Sequence, residues 1–357
     1  MSNSKAAHLD TPVTNGSDNL KEISDLRSVL TSESSPLAKR FRALFSLKHY
    51  ASLHPPTDET LPAIKAIADG FNSPSALLKH ELAYCLGQSR NLESVPYLKK
   101  VLEDKQEDAM CRHEAAEALG ALGDQSSLQV LKELRDDPKE PEVVRETCDI
   151  AVDRIEWEHS QERAAEKLKQ RYGIVIHTNN RSADKDSDFA SIDPAPPLAA
   201  TTSTPTIPDL QNSLLNTSLP LFLRYRAMFA LRDLASPPSL PTAIPAVQAL
   251  ATGFRDPSAL FRHEIAFVFG QLSHPASIPS LIETLSDAKE ESMVRHEAAE
   301  ALGSLGDEEG VEDVLKKFLN DPEQVVRESI VVALDMAEYE RSGQSEYATI
   351  GEVEAAA

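Results

Sequence analysis

The chain is poor in sulfur and aromatics and has no long apolar run. Its 357 residues include 3 Cys, 1 Trp and 13 Gly, and aromatic residues make up 5%. Cys85, Cys111 and Cys148 are odd in number and lie inside helix-like patterns. That suits buried thiols in a reducing compartment, cytosolic or nuclear, better than a disulfide framework. The opening residues "MSNSKAAHLDTPVTNGSDNLKEISD" hold no signal-peptide core. No later stretch approaches the roughly 18 uninterrupted apolar residues that cross a bilayer, so no membrane association is expected. Clustered positive charge is missing as well. Lys plus Arg number 36 against 57 Asp plus Glu, a formal charge of -21. Phosphate binding needs concentrated cations, so nucleic acid is not an expected partner. A cationic protein or side chain matches this balance, although surplus acid also serves simply to solvate helices. Period-two alternation, a Ser-His-Asp arrangement, a phosphate-cradling Gly-rich loop and CxxC metal spacing are all absent.

What the chain does contain is repetition. A phrase built on Arg or Lys recurs at Arg40, Lys79, Arg112 and Arg145, then again at Arg224, Arg262, Arg295 and Arg327. The first set is spaced 39, 33 and 33 residues apart, so the chain is a tandem duplication of a four-unit block. Within a unit the apolar letters fall at helical spacing, as at Ala115, Ala116, Leu119 and Leu122. Gly123-Asp124 and Gly306-Asp307 read as helix stops, and a second amphipathic run follows each. Each unit is therefore expected to be a helical hairpin that must stack on its neighbours to bury its apolar side. The expected fold is all-α, with two four-repeat blocks related by a pseudo-twofold duplication. The predicted boundaries are a flexible start over 1–22, blocks over 23–157 and 211–341, a disordered Ser/Thr/Pro/Asp-rich linker over 158–210, and a loose tail over 342–357. A linker of that length lets the blocks face each other.

Chemistry concentrates in four His-Glu pairs: His80-Glu81, His113-Glu114, His263-Glu264 and His296-Glu297. Each block carries two pairs one repeat apart, and the two sets are offset by 183 residues. Duplication alone could copy such letters, but the outer repeats hold Phe41-Arg42, Glu146-Thr147, Tyr225-Arg226 and Glu328-Ser329 in those slots. The hairpin scaffold does not require His-Glu. Equivalent positions on stacked helices lie about 8 to 10 Å apart, so two imidazoles can converge on one ion. The adjacent carboxylate, rotated by about 100°, can serve the same ion from another side. Four imidazoles and four carboxylates without thiolates suit iron or manganese better than a Cys-rich zinc site, and suffice for two metals. Glu117 and Glu300, one turn after a His, belong to a generic repeat phrase and read as exposed helix charges. Met110 and Met293 read as ordinary packing. His8, His49, His54, His159, His177 and His274 lie outside the pattern and are assigned no role.

The hairpins resemble HEAT-like repeats. Two blocks of them carrying "KHELAYCLGQ", "RHEAAEALGALGD", "RHEIAFVFGQL" and "RHEAAEALGSLGD" resemble the deoxyhypusine hydroxylase family over about residues 35 to 340. The resemblance implies a non-heme di-iron monooxygenase with two Fe(2+) per chain. It implies O2 as oxidant and, as substrate, the deoxyhypusine side chain of a translation factor, hydroxylated to complete hypusine. By position it implies His80, His113 and Glu114 around one iron, and His263, His296 and Glu297 around the other. Glu81 and Glu264 would then stand nearer the substrate, where their charge would meet its ammonium groups, although all eight residues are also counted as ligands. A monomer is expected. Two other classes compete on residues alone: a metal-free scaffold binding proteins along its concave face, and a hydrolase using two metals to activate water. A chromophore lyase built on similar repeats would have no need of the four pairs.

Overall fold

The computed structural model describes residues 16–161, 163–164, 191–198 and 205–342. Among them there is no strand, as the all-α reading expects. The N-terminal block runs α1 (Gly16–Thr31), α2 (Leu37–Ala51), α3 (Thr60–Asp69), α4 (Ala76–Gln88), α5 (Val95–Glu103), α6 (Ala109–Leu122), α7 (Leu128–Asp136) and α8 (Glu142–Glu158). The C-terminal block runs α9 (Ile207–Leu215), α10 (Leu221–Ala235), α11 (Ala243–Ala251), α12 (Ala259–Leu272), α13 (Ile278–Ser286), α14 (Ser292–Gly303), α15 (Val311–Lys316) and α16 (Gln324–Ser342). Odd and even helices pair as hairpins, and the even ones carry the recurrent Arg or Lys.

That cation has a structural task. The Nε of Arg40, Arg112, Arg145, Arg224 and Arg295 donates to the carbonyl ten residues earlier, on Leu30, Leu102, Arg135, Leu214 and Leu285. Each guanidinium thus caps the exposed carbonyl end of the first helix in its own hairpin. The remaining nitrogens reach an acid in the turn before the second helix of the next hairpin: Arg112 meets Glu140 at 2.7 Å, Arg295 meets Asp321 at 2.5 Å, and Arg224 meets Asp256. One side chain therefore locks a hairpin internally and to its successor, which is why the period is visible in the sequence.

Close approach between even helices explains the glycine of the repeated "LG". A Cβ on Gly87 would lie 2.6 Å from that of Ala118, and one on Gly303 would lie 2.8 Å from Ala333 Cα. The two predicted stops differ. Gly123 takes φ 69° and ends α6, whereas α14 already ends at Gly303, and Gly306 instead sits against Ala337.

The blocks close on each other end to end. Helix α16 packs on α2 and α4, and α8 packs on α10 and α12. Ser75 Oγ donates to Glu328 at 2.6 Å at one junction, and Ser258 Oγ donates to Glu146 at 2.7 Å at the other. Arg42 and Asp335 add an ion pair at 2.7 Å. Even helices of one block therefore face even helices of the other.

Three expected boundaries shift. Helix α1 begins at Gly16, inside the segment expected to be flexible, because Ile23, Leu26 and Leu30 find the core. Helix α9 begins at Ile207 and residues 191–198 are held against both blocks, inside the segment expected to be a disordered linker. The rest of the predicted start, the linker stretches 165–190 and 199–204, and the tail from 343 lie outside the described residues. No described helix is long and apolar enough to cross a membrane.

Candidate metal centre

Each pair stands at the same depth in its helix: His80, His113, His263 and His296 are each the fifth residue of α4, α6, α12 and α14. Local caps set three of these starts. Ser75 accepts from the Leu78 N–H, Asp108 from Met110 and Ser258 from Phe261. A common start fixes a common orientation, so all four imidazoles point to the face where block meets block.

There they form one cluster. Ring centroids lie 5.3 Å apart for His80 and His113, and 5.4 Å apart for His263 and His296. Across the blocks the separations are 5.2 Å for His80 and His296, 5.3 Å for His113 and His263, and 5.8 Å for His80 and His263. All eight residues of the pairs are buried; His113 and His296 are 0% exposed. Glu114 Oε2 lies 3.3 Å from His80 Nε2, and Glu297 Oε2 lies 3.4 Å from His263 Nε2. Each of these carboxylates therefore approaches the imidazole of the preceding repeat.

Potential ligand atoms converge within 4.8 Å in three sets: His80, His113 and Glu114; His80, His263 and His296; and His296, Glu297 and Glu300. The first is the half-site that the family resemblance implies. The second cuts across the implied partition, with His80 reaching the opposite block, and the third joins two residues of the other implied half-site to Glu300. Glu81 and Glu264 belong to none of the three. Glu264, 1% exposed, has neither oxygen hydrogen-bonded.

Glu300 overturns its reading as a surface charge, and Glu117 shares the reason. A residue four positions after a His lies on the same helix face, so both carboxylates stand beside the cluster, half-buried instead of exposed. Glu300 Oε1 lies 3.6 Å from His296 Nδ1 and accepts from Ser329 Oγ at 3.1 Å. Glu117 shares a cavity of about 10 Å³ with Thr147, Arg154 and Pro194. Burial drives both carboxyls well above the usual range, with neighbouring Glu114 and Glu297 respectively as the next cause.

Burial also acts on other members of the cluster. It holds His113 and His296 well below the ordinary imidazole value, with neighbouring imidazoles adding to the shift, and it lowers His80 against the pull of Glu81 and Glu297. It pushes Glu114 up to about 8 and Glu81 up to about 7, and drives Glu264 well above its usual range. Imidazole nitrogens without hydrogen-bond partners, among acids that are costly to ionise, fit a bound cation. Both ring nitrogens of all four histidines lack a hydrogen-bond partner, and buried polar atoms in folded proteins are rarely left so. A metal would engage these lone pairs and favour ionisation of the carboxylates.

Comparison with known proteins points the same way. A model of HEAT repeats matches residues 62–151 and 247–335. The chain is 72% identical over 333 residues to a deoxyhypusine hydroxylase of Coccidioides immitis, covering 93% of this chain and 95% of that protein. It is 68% identical over 336 residues to one of Phaeosphaeria nodorum, covering 94% and 97%. The solved structure of human deoxyhypusine hydroxylase in complex with glycerol superposes with a TM-score of 0.74 at 41% identity, covering 90% of this chain and 98% of that one. Repeats, duplicated pairs and relatives matched over nearly their whole length converge, and the chain belongs to the deoxyhypusine hydroxylase family of enzymes.

Proposed function

We propose that this enzyme binds two ferrous ions at the His-Glu cluster and uses O2 to hydroxylate the deoxyhypusine side chain of a translation factor. The observation that carries the reading is the gathering of four unpartnered imidazoles from two blocks within 5.2 to 5.8 Å, ringed by carboxylates. His80, His113 and Glu114 would hold one iron; His263, His296 and Glu297 would hold the other. Bound iron supplies the activation of dioxygen needed to insert oxygen into a C–H bond. The chain's own contribution is to keep His80, His113 and His296 neutral, exclude water by burial and place acids around the reacting group.

The substrate arm is long and cationic, and a chain of formal charge -21 attracts it. Glu264 has both oxygens unpartnered, and Glu81 stands in the equivalent slot of the other block. These two acids accept the ammonium groups, so Glu81→Ala or Glu264→Ala should weaken substrate binding more than iron content. An iron-free Glu264→Ala protein would contradict that division. A two-metal hydrolase would use an overlapping ligand set, but it would need no oxygen.

The test is metal analysis of the purified chain, followed by reaction of the reduced, iron-loaded protein with a deoxyhypusine-bearing translation factor under air and under argon. About two irons per chain, and a product heavier by one oxygen atom only under air, are expected. Zinc or no metal, or an equal product under argon, would sink the proposal.

A further inference from the structure

Residues 191–198, "SIDPAPPL", lie in the predicted linker but are bound like part of the core. On the N-terminal block, the Ile192 N–H donates to Gln88 Oε1 at 2.6 Å and Gln88 Nε2 donates to the Ile192 carbonyl at 3.3 Å. One side-chain amide thus satisfies a backbone unit in the way a neighbouring strand would. Ser191 Oγ lies 3.0 Å from the Tyr84 hydroxyl. On the C-terminal block, Asp193 pairs with Arg232 Nη1 at 2.7 Å, and the same nitrogen donates to Gln271 on α12 at 3.0 Å. Arg226 Nε donates to the Pro196 carbonyl at 3.2 Å, and the Leu198 N–H donates to the Arg226 carbonyl at 3.1 Å. Ala195 is 0% exposed, and Pro194 walls the small cavity beside Glu117.

The position of these contacts gives them meaning. Tyr84 lies one turn after His80, and its ring meets that of Phe267, one turn after His263, at 6.0 Å. The segment therefore bridges the blocks directly beside the imidazole cluster. Its composition suits a fixed tie. Prolines 194, 196 and 197 restrict the unfolded chain and lower the entropy lost on docking. They also lack N–H groups, which leaves fewer donors to satisfy.

We propose that residues 191–198 are a positioning strap that holds the two blocks at the spacing the shared centre requires. The hydrogen bonds of the strap go to α4 and to α10, which packs with Gln271 of α12, and it acts through those helices. Its role in the centre rests on the two-iron reading, but its hold on the blocks can be read without metal.

The experiment places spin labels at exposed Leu61 and Ile244, one on each block, through cysteine substitutions; the native cysteines are buried. Distances are measured by pulsed electron resonance in the metal-free protein. The unaltered strap should give one narrow distribution. An Asp193→Ala/Gln88→Ala pair should broaden it, with helical circular dichroism unchanged. Asp193→Asn, which keeps the side-chain size and breaks only the charge pair with Arg232, should broaden it less and decides the matter if the double variant misfolds. The iron-binding isotherm should shift about tenfold toward weaker binding in the double variant. An unchanged distance distribution in the folded variants would overturn the strap. So would broadening without any loss of iron affinity in a chain whose unaltered form binds iron. Broadening in a chain whose unaltered form binds no iron would keep the strap's hold on the blocks and reject only the metal reading.

Discussion

At the scale of single residues, the cluster is decided by which oxygen reaches which nitrogen. His296 is the clearest case: its Nδ1 faces Glu300 at 3.6 Å, and Glu300 is itself anchored by Ser329. A carboxylate facing the ring there would raise its basicity toward a metal on the other nitrogen. Glu300→Gln keeps the shape and removes the charge, so iron affinity should fall about 10- to 100-fold while the fold is retained. Equilibrium dialysis against iron, with circular dichroism alongside, checks this; unchanged affinity would assign Glu300 to packing alone. Four of the site positions stand out in the sequence as His, because His is scarce and the pairs recur in register. Glu300 does not stand out. Its spacing to His296 was legible, but its burial depends on the packing of α16, whose Ser329 reaches it from the next repeat.

At the scale of elements, the even helices bear two kinds of charge. Those near the cluster are enclosed, while α8 carries a stack on its outer part. Asp149 and Asp153 lie one turn apart there, both half-buried, and burial followed by the charge of Asp149 pushes Asp153 up to about 6. A carboxyl raised in the folded state favours folding at low pH. That contribution is present below the unfolded value near 3.9 and is lost as pH rises through about 6. Asp153→Asn removes the titration, so it should stabilise the protein at pH 7.5, by roughly half a kcal/mol after solvent screening, and have little effect at pH 4. Thermal melts at the two pH values test this; an equal shift at both would refute it. The hairpins themselves were readable from period and apolar spacing. What the period could not reveal is why Arg recurs: its guanidinium caps a carbonyl ten residues back and grips the next hairpin, a contact visible only once the two helices are antiparallel.

At the scale of the whole molecule, neither block completes the cluster alone, and a metal held between them would tie the two together. Chelation should therefore lower the melting temperature by several degrees, and ferrous iron should restore it where magnesium does not, because a ligand held only by the folded state stabilises it by mass action. Calorimetry with and without a chelator is the check, and identical melts would speak against a shared metal site. By itself the sequence determined the helical class, the duplication, the four His-Glu pairs and the family, because these are carried by local periodicity and by letters repeated in register. Tertiary structure alone decided that Glu114 approaches His80 and Glu297 approaches His263, that Glu117 and Glu300 are half-buried beside the cluster, and that residues 191–198 join both blocks. The physical reason is closure: a helical period fixes the face on which a side chain lies, but what meets that face is set by packing between segments far apart in the chain, which leaves no local signature.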